Sequence, residues 1–268
     1  MILEAITWNV NPEIFHIGGF GVRWYGLFFA LSFYLGYLIM ERIFKKEGVS
    51  TTLLDSLATY MIIATVIGAR LGHVLFYQPD YYFSHPIEIL KIWEGGLASH
   101  GAALGIIFAL WLFSRKYKKS FFWTIDRIVI VVALAGFFIR MGNLMNSEIY
   151  GTTTNLPWGF IFVHDTIGDG LPHHPTQIYE GLSYLAIFGY LLWYYIKKNG
   201  KPVEGYMFSM FLILVFGVRF LVEFIKLVQV EAENKYYLDF GQILSIPLIL
   251  LGGWILWYIH KKEKLKNE

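Results

Sequence analysis

The sequence predicts an all-α integral membrane protein, a seven-transmembrane-helix bundle with a small extracytoplasmic cap. Three observations predict it. Of the 268 residues, 56% are apolar and only 16% charged, whereas a soluble domain carries about a quarter charged residues. Apolar stretches long enough to cross a hydrocarbon core of ~30 Å, roughly 17–25 residues each, recur along the whole length. The basic residues are gathered in alternate loops.

Residues 1–20, with Trp8, Pro12 and Phe15, read as an interfacial entry segment. They contain no Lys or Arg and no small-residue cleavage pattern, so no removable signal peptide is expected. Spans follow at about 22–40, 57–77, 98–114, 124–140, 178–196, 205–224 and 242–260, all within a single membrane domain covering 1–268. Arg42, Lys45 and Lys46; Arg115, Lys116, Lys118 and Lys119; Lys197, Lys198 and Lys201; and Lys261, Lys262, Lys264 and Lys266 make 14 of the 22 basic residues. By the positive-inside rule these loops are cytoplasmic, which puts the N-terminus outside and the C-terminal tail inside. The opposite side carries two long polar segments, 150–176 and 226–241, expected to form the cap. Gly68-Ala-Arg-Leu-Gly72 and Gly101-Ala-Ala-Leu-Gly105 are small-xxx-small patterns, read as helix packing.

Cysteine is absent, which excludes a disulfide, a thiol nucleophile or an iron–sulfur site within the chain. The basic residues form no single patch, so no nucleic-acid partner is expected. His164, Asp165, Asp169, His173 and His174 match no zinc spacing and fall in a polar loop. No G-x-S-x-G elbow exists.

With the topology fixed, intraspan polar residues gather in the outer third of the membrane. Tyr25 begins the first span, Arg70 and His73 end the second, and His100 opens the third. Arg140 and Asn143 close the fourth, and Gln177 and Tyr179 open the fifth. Arg219 and Glu223 close the sixth, and Gln242 opens the seventh. The cytoplasmic half offers mainly Asp126 and Arg127.

The densest run is Arg140-Met-Gly-Asn143-Leu-Met-Asn146-Ser-Glu148-Ile-Tyr-Gly151, directly after the apolar run Ile128–Ile139. In helical continuation Arg140, Asn143 and Asn146 lie near one face, suited to gripping an anion at the water–lipid boundary. Two arginines on separate helices, Arg140 and Arg219, suit a phosphate, because each guanidinium forks onto two oxygens. Plainer readings stand beside these. Arg219 and Glu223, at i and i+4, can neutralise each other. Arg70 and His73 can snorkel to the interface, and Tyr25 can belong to an aromatic belt. His100 sits among glycines, where a ligand can approach bare backbone. A phosphate-handling enzyme, a lipid or anion transporter and a membrane scaffold all remain open on these residues; polar groups on one side only favour the first.

The run Arg140-x-Gly142-Asn143-x-x-Asn146-x-Glu148-x-x-Gly151 closely resembles the signature of the bacterial prolipoprotein (phosphatidylglycerol–prolipoprotein) diacylglyceryl transferase family. Similar segments occur in the same order at Trp24–Leu27, Gly95-Gly96-x-x-Ser99-His100-Gly101, His174–Glu180, Arg219-x-x-x-Glu223 and Gly241–Pro247. Departures are Ala102, Phe138-Ile139, Lys226 for a frequent arginine, and His73 for a common tyrosine.

The resemblance implies a seven-span enzyme of the bacterial cytoplasmic membrane, using no metal or organic cofactor and surrounded by membrane lipids; a single seven-helix bundle can enclose the site alone, so a monomer is expected. Such an enzyme moves the diacylglyceryl group of phosphatidylglycerol onto the lipobox cysteine thiol of a prolipoprotein signal peptide. A thioether forms and glycerol 1-phosphate leaves. Carried over by position, His100, Arg140 and Arg219 are the catalytic candidates. Tyr25, Arg140, Asn143, Asn146, Glu148, Gly151, Arg219 and Glu223 are the substrate-binding candidates, with Arg70, His73, Gln177 and Gln242 as accessories. Glu148 and Glu223 are expected to position the arginines, and His100 to take the thiol proton.

Overall fold

A computed structural model describes residues 5–18, 20–92, 95–227 and 238–267. The long helices are α1 (Trp24–Lys46), α2 (Thr51–Phe76), α4 (Ser99–Tyr117), α5 (Phe121–Met145), α6 (Thr176–Lys197), α7 (Tyr206–Glu223) and α8 (Phe240–Asn267). A short α3 (Pro79–Ser84) and a 3-10 turn (Pro86–Leu90) precede α4. Most helices run past the expected spans, because Lys-bearing ends such as Lys45–Lys46 and Lys197 stay helical while keeping their charges in water.

Among the described residues five helices, α1, α2, α5, α7 and α8, are long and apolar enough to cross a membrane. α4 and α6 have 19 and 22 residues, enough at about 1.5 Å per residue to reach across. They are more polar: α6 alone buries Thr176, Gln177, Glu180 and Tyr184. The chain is a multi-pass membrane protein.

Short strands appear that the helical pattern did not foretell. β1 (Ile6–Trp8) pairs in parallel with β4 (Phe160–Phe162), and β2 (Glu13–Ile17) with β3 (Phe20–Arg23) as a hairpin turning at Gly18. Residues 5–18 are therefore largely extended. Three- to five-residue strands give too few alternations for a period of two to stand out in sequence.

The chain divides into two compact units. The first holds Met1–Ile39 and Asp126–Glu268. In it α5 buries Ile128, Val129, Ile130, Ala133 and Leu134. Asp126 caps the start of α7, accepting from the Gly205 N–H at 2.7 Å and the Phe208 N–H at 2.8 Å, the placement that a helix N-terminus favours for a carboxylate. Beyond α5, in the first of the segments expected to form a cap, lies a small hydrophobic cluster. Tyr150, Phe160 and Phe162 cluster with Leu144, Trp8 stacks on Phe160 at 5.4 Å, and Trp8 Nε1–H donates to the Leu144 carbonyl at 3.0 Å. Of the second expected cap segment, 226–241, residues 228–237, including Lys235, lie outside the described residues.

The second unit is Met40–Ile125. Its glycine patterns do pack helices. A Cβ on Gly68 would fall 2.5 Å from the Gly101 carbonyl, and one on Gly72 2.6 Å from the Gly101 Cα. α2 and α4 thus meet backbone to backbone, the close approach that small residues permit between membrane helices. Phe44, Leu54, Leu57, Leu110 and Phe113 fill the remainder of this core.

Candidate functional site

The site in the first unit is built on the end of α5. Helix does not continue through Asn146 as the spacing suggested. α5 stops at Met145, and Ser147 (φ +53°) and Ile149 (φ +60°) turn the chain back in left-handed conformations, which are costly for residues other than glycine. The reversal brings Glu148 onto the carboxamides: Asn143 Nδ2–H donates to its Oε1 at 2.8 Å and Asn146 Nδ2–H at 3.2 Å. Arg140 Nη1–H in turn donates to Asn143 Oδ1 at 3.2 Å. Arginine, carboxamide and carboxylate form one chain of charge-assisted hydrogen bonds.

Arg140 takes its counter-ion from elsewhere. Its Nε is ion-paired with Oε2 of Glu180 on α6, and Glu180 is fully buried. Glu223 does not bond Arg219 one helical turn back; its Oε2 lies 3.3 Å from Lys226 Nζ. Lys226 Nζ also lies 3.3 Å from Oε1 of Glu180. Arg219 is half-buried and, among the described residues, makes no ion pair. Both arginines stand within electrostatic range of the Tyr184 hydroxyl, and Glu223 stands within range of Arg140. Both arginines therefore bear on one tyrosine, and among the described residues Arg219 holds the less neutralised charge.

Tyr25 packs its ring against Gly142, where a Cβ would fall 2.7 Å from it, and lies within range of Glu148 and Arg140. Gly151 has no room for a side chain: a Cβ there would collide with the Ile225 carbonyl and fall 2.7 Å from His174 Cβ. Gln177 Nε2–H donates to the Glu148 carbonyl at 2.7 Å, and Thr176 Oγ1–H to the Ile149 carbonyl at 3.0 Å. Gln242 Nε2–H reaches the Phe220 carbonyl at 3.4 Å. Both glutamines brace backbone. Asn146 and Glu148 border an open polar hollow of about 280 Å³, lined also by Asn11, Pro12, Glu13 and Arg23.

The expected cap segment beside this site ties together several of the loop residues whose spacing matched no zinc pattern. His173 Nδ1 is 2.9 Å from the Gly151 carbonyl and Nε2 3.1 Å from Asp169 Oδ2, while Tyr150 O–H donates to Asp165. Leu171 N–H and His173 hold the Asp169 carboxyl below its usual range. Burial, then the neighbouring His173, lowers His174. Burial and Asp165 raise Tyr150.

The second unit holds the other candidates. His100 is exposed in the first turn of α4, edge-on to Phe76 at 5.4 Å and tilted against Tyr77 at 5.7 Å. His73 stacks on Tyr77 at 5.5 Å. Arg70 does not snorkel. It is buried and, among the described residues, bonds main-chain carbonyls only: Nε–H to Ile89 at 2.9 Å, Nη1–H to Gly95 at 2.7 Å and Gly96 at 3.2 Å, and Nη2–H to Glu88, with Tyr82 against its face at 4.9 Å.

Glu180, Tyr184 and Lys226 were missed as site residues. A signal existed: Gln177, Glu180 and Tyr184 recur at helical spacing, as do Arg219, Glu223 and Lys226.

Residues 12–258 match the family model described as prolipoprotein diacylglyceryl transferase. Proteins named phosphatidylglycerol–prolipoprotein diacylglyceryl transferase are similar over nearly the whole length. That of Tolumonas auensis is 47% identical, covering 97% of this chain and 100% of its own. Those of Chloroherpeton thalassium and Porphyromonas gingivalis are each 44% identical, covering 98% and 96% of this chain and 97% and 95% of their own. The family model over residues 12–258, with a relative 47% identical over 97% of the chain, makes this protein a member of the prolipoprotein diacylglyceryl transferase family.

Proposed function

We propose that this chain transfers the diacylglyceryl group of phosphatidylglycerol to the lipobox cysteine of prolipoproteins, the first step of bacterial lipoprotein maturation. The observation that carries the chemistry is the pair of arginines within range of one tyrosine, Arg140 held by Glu180 and Asn143, and Arg219 with no ion pair among the described residues. A phosphodiester meeting these groups has its charge balanced by two guanidinium forks.

The cysteine sulfur attacks the glycerol carbon of the diacylglyceryl group. A C–S bond forms, the C–O bond to phosphate breaks, and glycerol 1-phosphate leaves with the electron pair. Arg140 and Arg219 stabilise the charge that grows on the phosphate. Asn146, Glu148 and Tyr25 border the headgroup; the hollow beside Asn146 and Glu148 supplies donors and acceptors for its hydroxyls. His100 is the candidate acceptor of the thiol proton, on the family resemblance and its exposed ring. Its test is the pH profile of single-turnover transfer by His100→Gln; an unchanged rate and profile would remove it from the proton path.

The chain works as a monomer of seven spans, α4 and α6 adding to the five most apolar helices, in one membrane domain of the bacterial cytoplasmic membrane. The Lys- and Arg-rich loops lie inside, and the cap and N-terminus outside. Purified protein is incubated with labelled phosphatidylglycerol and a lipobox peptide, with a Cys→Ser peptide as control. Label on the cysteine peptide alone is expected. Lipid movement across vesicles without thiol-dependent transfer would select a transporter instead.

A further inference from the structure

The signature segment 140–151 is tied at both ends by residues outside it, and the two ties meet. At its start Arg140 Nε is paired with one carboxylate oxygen of Glu180. The other oxygen of Glu180 faces Lys226 Nζ at 3.3 Å. At the segment's end Gly151 bridges antiparallel to Lys226. The Thr152 N–H donates to the Ile225 carbonyl at 2.8 Å and the Leu227 N–H to the Tyr150 carbonyl at 3.3 Å. Gly151 must be bare for that bridge to close, since a Cβ would strike the Ile225 carbonyl.

We propose that Glu180 and Lys226 are positioning residues, a buried clasp that sets the guanidinium of Arg140 for the phosphate without touching substrate. This rests on the reading above, in which Arg140 meets the phosphodiester. A free arginine side chain samples many rotamers, and forked recognition of two oxygens needs its plane fixed beforehand. A carboxylate at Nε fixes that plane, with the Asn143 carboxamide and the Tyr184 hydroxyl also bonded to the guanidinium, and the remaining N–H groups are left for the substrate. Glu180 is itself held because its side chain is fully buried and its second oxygen is bound by Lys226, only 2% exposed. Lys226 has a second effect. Glu223 stands within electrostatic range of Arg140, so two carboxylates bear on one guanidinium. Lys226 binds both, at 3.3 Å each, and leaves Arg140 more of its positive charge.

The pair is removed together as Glu180→Gln/Lys226→Met, a change that deletes one charge of each sign. A role in folding alone would restore both melting temperature and transfer in this double variant relative to either single change. The clasp predicts that only the melting temperature returns, with kcat for phosphatidylglycerol down by about 10²-fold, as for a reacting group misplaced by ~1 Å. Glu180→Asp keeps every charge and withdraws the carboxylate by one methylene. It should melt as the wild type does, lose roughly tenfold in kcat/KM for phosphatidylglycerol and leave KM for the peptide unchanged. Lys226→Arg, which conserves the bridge, should stay within about threefold of wild type. Wild-type kinetics in a folded double variant or in Glu180→Asp would overturn the clasp. A wild-type chain that transfers nothing would overturn the reading of the site, and the clasp with it.

Discussion

Arg70 and Arg140 look alike along the chain. Each stands near the end of a long apolar helix with glycine close by, Gly68 and Gly72 for one and Gly142 for the other. The second unit uses Arg70 as a rivet: its N–H groups go to the carbonyls of Glu88, Ile89, Gly95 and Gly96, so it fastens the loop leading into α4. The first unit gives Arg140 a carboxylate, a carboxamide and charged neighbours within range. A guanidinium whose donors are taken by backbone cannot turn to a phosphate without releasing that backbone. One oriented by side chains keeps its remaining N–H groups for a ligand. The difference is one of partners, and it separates a buried cation that holds structure from one that can handle an anion.

Exchange of each arginine for lysine tests that separation most severely. Arg140→Lys keeps the charge opposite Glu180 and loses the fork; single-turnover transfer should fall by about 10²–10³-fold at nearly unchanged melting temperature. Arg70→Lys strips charged donors from buried carbonyls and should cost roughly 2–4 kcal/mol of stability, while its folded fraction transfers at close to the wild-type rate. Equal loss of transfer at full stability in both variants would erase the distinction.

Added methyl groups ask the same question with less force. Gly151→Ala and Gly101→Ala both overpack, against the Ile225 carbonyl in one unit and the Gly72 Cα at 2.6 Å in the other, each costing about 1–3 kcal/mol. Transfer by folded protein should drop for Gly151→Ala, because the bridge to Lys226 opens. It should hold for Gly101→Ala. Denaturation midpoints together with kcat on the same samples distinguish the two.

The smallest effect expected is that of pH on the cap. His174 has a folded pKa below its ordinary 6.5, so above that value it is neutral folded or unfolded and adds nothing. As pH falls through 6.5 the unfolded chain binds the proton first, and cap stability falls. Asp169, lowered from 3.8, stabilises above that value and gives up its contribution only as pH falls through its folded pKa. Tyr150 is raised from 10.0, so its contribution persists below pH 10 and is lost above it. Backbone amides of the cap, such as those of Gly151 and His173, should exchange modestly faster at about pH 5.5 than at about pH 7.5 after correction for intrinsic rates. Unchanged protection in His174→Gln as well as wild type would clear His174 of any part in it.

Much of this molecule was legible from one dimension. Helix existence followed from apolar length, packing through the two small-xxx-small patterns from glycine spacing, and the signature from residue types that membranes tolerate only where they hold something polar; that the two patterns meet each other is shown only by the structure. The strands Ile6–Trp8 and Phe160–Phe162 were not legible, since each is short and gains its meaning only from pairing with the other. Asn146 was placed on the helix because spacing alone continues a period; the left-handed turns at Ser147 and Ile149 end it. Glu223 was matched to Arg219 by the same local rule, yet its partner is Lys226.

Local sequence carried the membrane class, the family signature and the glycine packing, because hydrophobic length, residue type and helical period act between near neighbours on the chain. Folding alone chose the counter-ions. Glu180 for Arg140, backbone for Arg70 and Lys226 for the two carboxylates each depend on which helix ends and loops come together, and a buried charge bonds whatever partner the packing brings within reach.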